Sequence, residues 1–371
     1  SVLSFSPFNF MFINFIIFPL FFYLVFYISK KSKFIYRKKP YKKNLFIFGI
    51  SFGFGFYLSG ISWISNALTF DENFKILIPI ALTLIPLFLS LFIAFPVMMV
   101  GPKLQLNFRS LLMFSVALSL SDYIRAKLFT GFPWNLWAYS MVSFNEMLQV
   151  VNIIGLYAYN LIVITLFLSP IIFFFKINKI KKFFSFLFLI FFILCAYIYG
   201  NYSINKNHKF LKINNEKFFV KVISPNFELK YGLTEDEIEI RVKKLIRYSN
   251  PNKDKTTLFI WPEGVFAGYN FTEILTFKKS IRDNFSNKHL IIFGVNKLEP
   301  TSGQFYNSMV LVNNDFKIIQ IYNKRKLVPF GEFLPFENLF NFFGLKKITE
   351  GHGSFLKGNE DNNLSTKQLN I

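Results

Sequence analysis

Two charged residues stand immediately after runs that read as strands. Glu263 follows "LFIWP" and Lys324 follows "IIQIYN". Strand ends in α/β folds are where reactive side chains usually sit, because the scaffold is rigid and the loop side is open. A carboxylate and an ammonium converging there would supply a general base and a cation placed to meet developing negative charge. The same residues would equally make a structural salt bridge at a domain edge, and spacing alone leaves both readings standing. Lys324 also begins the charged part of "YNKRKLVPFGEFLPF" (322–336), which packs three cations, two prolines, a glycine and Glu332 among apolar neighbours.

The chain offers little else of this kind. Its single cysteine, Cys195, lies inside "FFILCAYIYG" and reads as a packing residue of an apolar span. No disulfide framework and no cysteine-based metal site is therefore expected. His208, His289 and His352 are too scattered for a metal site, and no phosphate-cradling loop is present. Neither a metal nor a cofactor is expected.

The elements that must hold Glu263 and Lys324 lie after Asn201. "FFVKVIS" (218–224) reads as a strand. "TEDEIEIRVKKLIRYS" (234–249) reads as a helix, with Thr234 and Glu237 in capping-box spacing and an apolar stripe of Ile238, Val242, Leu245 and Ile246. "TTLFIWPEG" is a buried-strand run stopped by Pro262-Glu263, and a further helix is expected at about 272–285. "HLIIFGV", "YNSMVLV" and "FKIIQIYN" follow as strands, the last two joined by "NND" in a hairpin-like turn. Strands alternating with helices and closing on a hairpin predict an α/β layer.

The first 200 residues have another texture. The 371-residue chain is 53% hydrophobic and holds 54 Phe, too apolar for an ordinary soluble domain. Six runs are long enough to cross a bilayer: 10–29, 44–65, 75–100, 108–129, 150–175 and 183–200. A polar linker is expected at 201–216, and 217–371 as the second domain. The net charge of +21 would suit nucleic acid or a membrane surface. Over-use of Phe, Ile, Lys and Asn matches an AT-rich coding bias, however, and no basic face with base-stacking aromatics is present, so nucleic acid is not an expected partner. The start, "SVLSFSPFNF", lacks an initiator Met and a charged leader region and reads as the middle of a longer protein.

Loop charge orients the spans. "KKSKFIYRKKPYKK" puts eight Lys or Arg in fourteen residues of the first loop, Lys103 and Arg109 mark the third, and "KINKIKK" marks the fifth. The second, "NALTFDENF", carries only acids, and the fourth, "TGFPWNLWAYSMVSFNE", has no cation. The positive-inside rule puts loops one, three and five in the cytoplasm and the residues after Gly200 outside. Trp134, in "GFPWNLWAY", is either an interfacial anchor or part of a re-entrant wall shaping a lipid cleft. Asp122 and Arg125, three apart on one helix, could pair; intramembrane charge raises a functional suspicion, although neither is expected to be catalytic.

"IWPEG" (260–264), "YNS" (306–308) and "YNKRKLVPFGEFLPF" together resemble blocks of the bacterial apolipoprotein N-acyltransferases, membrane-embedded members of the nitrilase superfamily. "LSFSPF" (3–8) and "TGFPW" (130–134) resemble that family's membrane-domain signatures. The resemblance implies a polytopic α-helical membrane domain joined to an extracytoplasmic nitrilase-like domain, an α-β-β-α sandwich cut short at its C-terminal end. It implies a Glu-Lys-Cys triad in which Glu263 is the general base and Lys324 stabilises the oxyanion. Glu332 matches a supporting glutamate, Asn307 a polar position lining the site, and Tyr231 a place where the family commonly has Trp. "GHGSFLKG" (351–358) matches the region before the nucleophile, which is then expected just after Ile371, leaving this chain inactive by itself. The implied activity is N-acylation of the terminal diacylglyceryl-cysteine of apolipoproteins in the bacterial inner membrane. A phospholipid is the implied acyl donor, through a cysteine thioester, with the catalytic domain on the periplasmic side. A membrane-tethered nitrilase-type amidase and a catalytically dead lipid-binding relative are the alternatives.

Overall fold

A computed structural model describes residues 2–35, 40–69, 72–128, 131–213, 218–228, 230, 232–266, 268–329, 331–333 and 354–359. The chain divides into two units, 1–213 and 214–371.

The first unit is helical. Its elements are α1 (Asn14–Ile35), α2 (Pro40–Ile61), α3 (Ile78–Val100), α4 (Phe108–Lys127), the single turns α5 (Asn145–Leu148) and α6 (Val151–Ile154), α7 (Leu156–Leu168) and α8 (Lys179–Ile213). Among the described residues five stretches are long and apolar enough to cross a membrane: Met11–Lys31, Tyr41–Thr69, Lys75–Lys103, Leu156–Phe174 and Lys179–Lys209. The core is aromatic, with Phe18 edge-on to Trp137 at 4.7 Å and Phe22 edge-on to Phe114 at 5.4 Å. Rings also cover the outside: Phe183, Phe184, Phe188 and Phe191 of α8 are all exposed. A helix apolar on every side with its rings outward suits hydrocarbon rather than water.

Three expected spans change. The 108–129 run is helical over Phe108–Lys127, with the Asn107 side chain accepting from the Ser110 N–H at its start. It is not among the five, because Arg109, Asp122, Arg125 and Lys127 dilute its apolar character. The 150–175 run begins as a span only at Leu156, since Gly155 adopts a φ of 79° that separates α6 from α7. The 183–200 run continues to Ile213. No proline interrupts Asn201–Ile213, so the helical hydrogen-bond ladder carries on. The linker expected at 201–216 is therefore helix up to Ile213. Cys195, expected to pack, is exposed on α8.

In the second unit β1 (Phe218–Val222), β2 (Thr256–Ile260), β3 (His289–Leu298), β4 (Phe305–Asn313) and β5 (Ile318–Asn323) form one sheet in sequence order. β1, β2 and β3 pair in parallel, while β3–β4 and β4–β5 are antiparallel. Crossovers explain the change: α9 (Glu235–Ser249) links β1 to β2 and α10 (Lys278–Asn284) links β2 to β3, whereas the later strands turn back directly. The capping box forms, Thr234 accepting from the Glu237 N–H and Glu237 from the Thr234 N–H. The stripe of α9 buries Ile238, Val242 and Leu245 in a core with Ile281 of α10 and with Phe259, Phe293 and Val310 of the sheet. Leu258, Leu290 and Leu311 form a smaller cluster of alternate side chains on the same strands. The described residues thus supply one helical and one sheet layer of the expected sandwich.

Candidate active site

The sheet delivers three polar side chains to one place. β2 keeps pairing one residue past its end, where the Trp261 N–H donates to the Ile292 carbonyl at 2.8 Å. Trp261 is buried and its indole N–H donates to Ser249 of α9 at 3.0 Å. Pro262 has no N–H with which to continue. Glu263 then turns away from the ladder, and Gly294 of β3 leaves room beside it: a Cβ there would stand 3.6 Å from the Glu263 Cγ. Asn307 lies on β4. Lys324 follows the last residue of β5, held because its N–H donates to the Asn307 carbonyl at 2.8 Å.

Glu332 completes the group from a turn. Its N–H donates to the Val328 carbonyl and its Oε2 accepts from the Val328 N–H, both at 2.8 Å. The turn is pinned from outside by two further bonds, Phe355 N–H to the Glu332 carbonyl at 2.8 Å and Gly358 N–H to the Lys324 carbonyl at 3.0 Å. Gly358 is required there, since a Cβ would lie 2.3 Å from the Asn323 carbonyl oxygen.

The side chains meet around one ammonium. Lys324 Nζ donates to Glu332 Oε1 at 2.8 Å and stands 3.9 Å from Glu263 Oε1. Asn307 Nδ2 reaches both acids, at 2.6 Å to Glu332 Oε1 and 3.3 Å to Glu263 Oε1. Exposure separates the two carboxylates: the Glu332 side chain is 12% exposed and that of Glu263 is 73% exposed. Burial by itself would push the Glu332 carboxyl upward. The bonds from Lys324, the Val328 N–H and Asn307 outweigh burial and hold it below the usual carboxylate range. Glu332 is thus a fixed anion that positions the cation, while Glu263 is loosely held and open to a ligand.

The expected pair, Glu263 and Lys324, is therefore brought together, with Asn307 and Glu332 in contact. Trp134 belongs to the first unit, where its exposed ring packs 5.1 Å from Trp63. Tyr231, Thr130 and residues 351–353 of the "GHGSFLKG" stretch lie outside the described residues. Among the described residues no group of His, Cys, Asp or Glu is placed to hold a metal. His289 is buried and structural, its ring nitrogens bonded to the Ser286 N–H and the Asn252 carbonyl. Sequence reasoning missed the Val328 N–H as the partner of Glu332; the signal was the four-residue spacing across Pro329 and Gly331, which marks a turn. It also missed Asn160 and Trp63 in the first unit.

An acid and an amine converge at the strand ends of an α/β sheet, and the described residues hold five membrane-length apolar helices, the arrangement expected of a membrane protein with a nitrilase-like domain. Family comparison agrees. Residues 1–169 match the apolipoprotein N-acyltransferase N-terminal domain and residues 234–353 match the carbon-nitrogen hydrolase domain. Curated relatives include apolipoprotein N-acyltransferases of Rhodopseudomonas palustris (26% identical, 84% of this chain and 60% of the relative) and Rhizobium rhizogenes (25% identical, 96% of this chain and 67% of the relative). The chain spans about three-fifths of the length of the Rhodopseudomonas protein. Both matches and these relatives support an apolipoprotein N-acyltransferase family protein.

Proposed function

We propose that this chain carries the acid–amine part of an enzyme that N-acylates the terminal diacylglyceryl-cysteine of apolipoproteins, with a phospholipid as acyl donor. The observation that carries the reading is the geometry of Lys324, fixed to buried Glu332 at 2.8 Å yet only 3.9 Å from open Glu263. The chemistry needs a thiol, and the one cysteine of this chain, Cys195, is in a membrane-length helix. The reading therefore takes the nucleophile to be a cysteine other than Cys195.

In the first step Glu263 takes the thiol proton and the thiolate attacks the donor's ester carbonyl. Lys324 faces the resulting oxyanion. Collapse breaks the C–O bond, and the leaving lysophospholipid oxygen takes the proton back from Glu263. In the second step the lipoprotein's α-amine attacks the thioester, Glu263 accepts the amine proton, and the amide forms as the C–S bond breaks and the departing sulfur takes that proton from Glu263. Splitting the exchange lets donor and acceptor use one cleft in turn. The loop charges favour a periplasmic position for the second unit of a bacterial inner-membrane protein.

The test uses the full-length protein with acyl-labelled phospholipid. Glu263→Gln and Lys324→Ala should each stop accumulation of the hydroxylamine-sensitive acyl-enzyme. Normal labelling in either variant would remove that residue from the mechanism.

A further inference from the structure

We propose that Asp122, Arg125 and Asn160 are positioning residues that hold Trp134 against Trp63 as a two-ring platform for the acyl-donor phospholipid. The proposal rests on the function proposed above for its ligand, but not for its geometry.

Three buried polar side chains from α4 and α7 grip a single loop. Arg125 is 2% exposed, Asp122 7% and Asn160 0%. Arg125 Nη2 donates to Asp122 Oδ1 at 3.0 Å, and Asn160 Nδ2 donates to Asp122 Oδ2 at 3.0 Å. Both cross-linked groups then reach outward to the main chain. Arg125 Nη1 donates to the carbonyls of Phe132 and Trp134, each at 2.7 Å, and Asn160 Oδ1 accepts from the Ala138 N–H at 2.9 Å. The loop is therefore fixed at three backbone points within seven residues. Gly131 lets it enter this path, with φ at 86° and no space for a Cβ, which would lie 2.3 Å from the Ala126 carbonyl oxygen.

A buried ion pair is poor value as a source of stability, because desolvation offsets the attraction. A pair whose arginine also donates to two neighbouring carbonyls instead specifies a backbone path. What that path displays is Trp134, 48% exposed, whose ring lies 5.1 Å from that of Trp63 at an interplanar angle of 53°. Trp63 is 49% exposed and stands just past the end of α2, as the loop stands just past the end of α4. Amphipathic indoles at the ends of apolar helices occupy the depth of the lipid glycerol and upper acyl chain. An anchor needs no fixed geometry. Two rings brought together where a buried arginine fixes the backbone of one fit selection of a lipid for reaction.

The experiment uses the full-length protein in vesicles of phosphatidylethanolamine and phosphatidylglycerol, with acyl-labelled phosphatidylethanolamine as donor. Two indoles at this distance and angle give an exciton couplet in circular dichroism. Trp63→Phe and Trp134→Phe should each abolish it. Arg125→Lys keeps a cation beside Asp122 but cannot reach both carbonyls, and should also remove the couplet while leaving helix content unchanged. Each of the three variants should raise the KM for donor about tenfold, the scale of one or two lost hydrogen bonds, with kcat within about twofold. A couplet that survives Arg125→Lys would overturn the positioning role. Unchanged KM in both tryptophan variants would reduce the rings to an anchor and overturn the platform. Trp63 is exposed, so its variant reads the platform even if Arg125→Lys does not fold. Absence of all acyl transfer in the unmodified protein with the couplet intact would instead refute the function proposed above.

Discussion

Glu332→Gln isolates the residue that holds the cation. The carboxylate accepts on both sides: Oε1 from Lys324 and Asn307, Oε2 from the Val328 N–H. A carboxamide of the same shape can accept on one side only, so either amide flip turns an NH2 toward a donor. The lost interaction with Lys324 is a charge-assisted hydrogen bond at 2.8 Å, a class worth about 1.5–3 kcal/mol. Lys324 is 31% exposed, and solvent screening argues for the lower part of that range, about 1.5–2 kcal/mol. Freed from Glu332, the ammonium can approach Glu263 at 3.9 Å. In the proposed mechanism, closing that gap would draw the cation off the oxyanion position and tie up the base.

The expected result is an acyl-enzyme formation rate about tenfold to thirtyfold below normal, read in a single turnover with labelled phospholipid. Glu263→Gln removes the proposed base and should lose a further order of magnitude or more, on the scale of about 100-fold to 10,000-fold. Glu332→Gln combined with Asn307→Asp returns a carboxylate to the cluster and should recover part of the loss. An unfolded variant is recognised by its melting curve. A folded Glu332→Gln protein that acylates within about twofold of normal would refute the assignment of Glu332 as the group that positions Lys324.

The folded-state pKa of Glu332 is depressed, so its stabilising effect is complete above the unfolded value of about 4.3 and fades as pH falls through the folded value. Melting temperatures of the unmodified and Glu332→Gln proteins should therefore differ at pH 7 and converge in acid; a constant gap would contradict this. Gly358→Ala drives a methyl into the Asn323 carbonyl oxygen, and should destabilise by about 1–3 kcal/mol and slow acylation by displacing the end of β5. Equal melting curves and rates would show the backbone yields there. Cys195→Ala changes an exposed side chain on α8, and should leave acylation near normal and stability within about 0.5 kcal/mol; a dead variant would move the nucleophile into the helix.

Local patterns made much of the second unit legible. The capping box at Thr234 and Glu237, the α9 stripe and the five strands are each specified by short-range chemistry, and each forms where the residues indicate. Glu263 and Lys324 could be singled out because strand ends are visible in sequence. The order of closeness was not legible. That Lys324 bonds to Glu332 rather than to Glu263 depends on a turn eight residues away and on the Phe355 and Gly358 amides that pin it. In the first unit, apolar length located the spans but not their limits: Gly155 delays the start of one by its dihedral angle, and Asn201–Ile213 prolongs another because polarity does not stop a helix. Asn160 was hidden as a lone amide in an apolar run, where only its partner Asp122, 38 residues away, gives it meaning.

The same motif, an acid beside a base, occurs in both units with opposite exposure. Asp122 and Arg125 are 9% and 1% exposed at the side chain, and besides the pair itself they bond to the Asn160 amide and two main-chain carbonyls, with the guanidinium over the Tyr57 ring. No substrate atom can replace those partners without unmaking the loop, so the pair can only hold shape. Glu263 and Lys324 are 73% and 31% exposed and 3.9 Å apart, a separation at which attraction is present but the hydrogen bond is not made. A group entering there can take its place between them without first breaking a strong bond. Glu332 resolves the conflict between holding a cation and leaving it available: it is buried enough to fix Lys324 and occupied enough by Asn307 and Val328 to stay put. Burial, more than residue type, is what divides three carboxylates into two that build and one that can react.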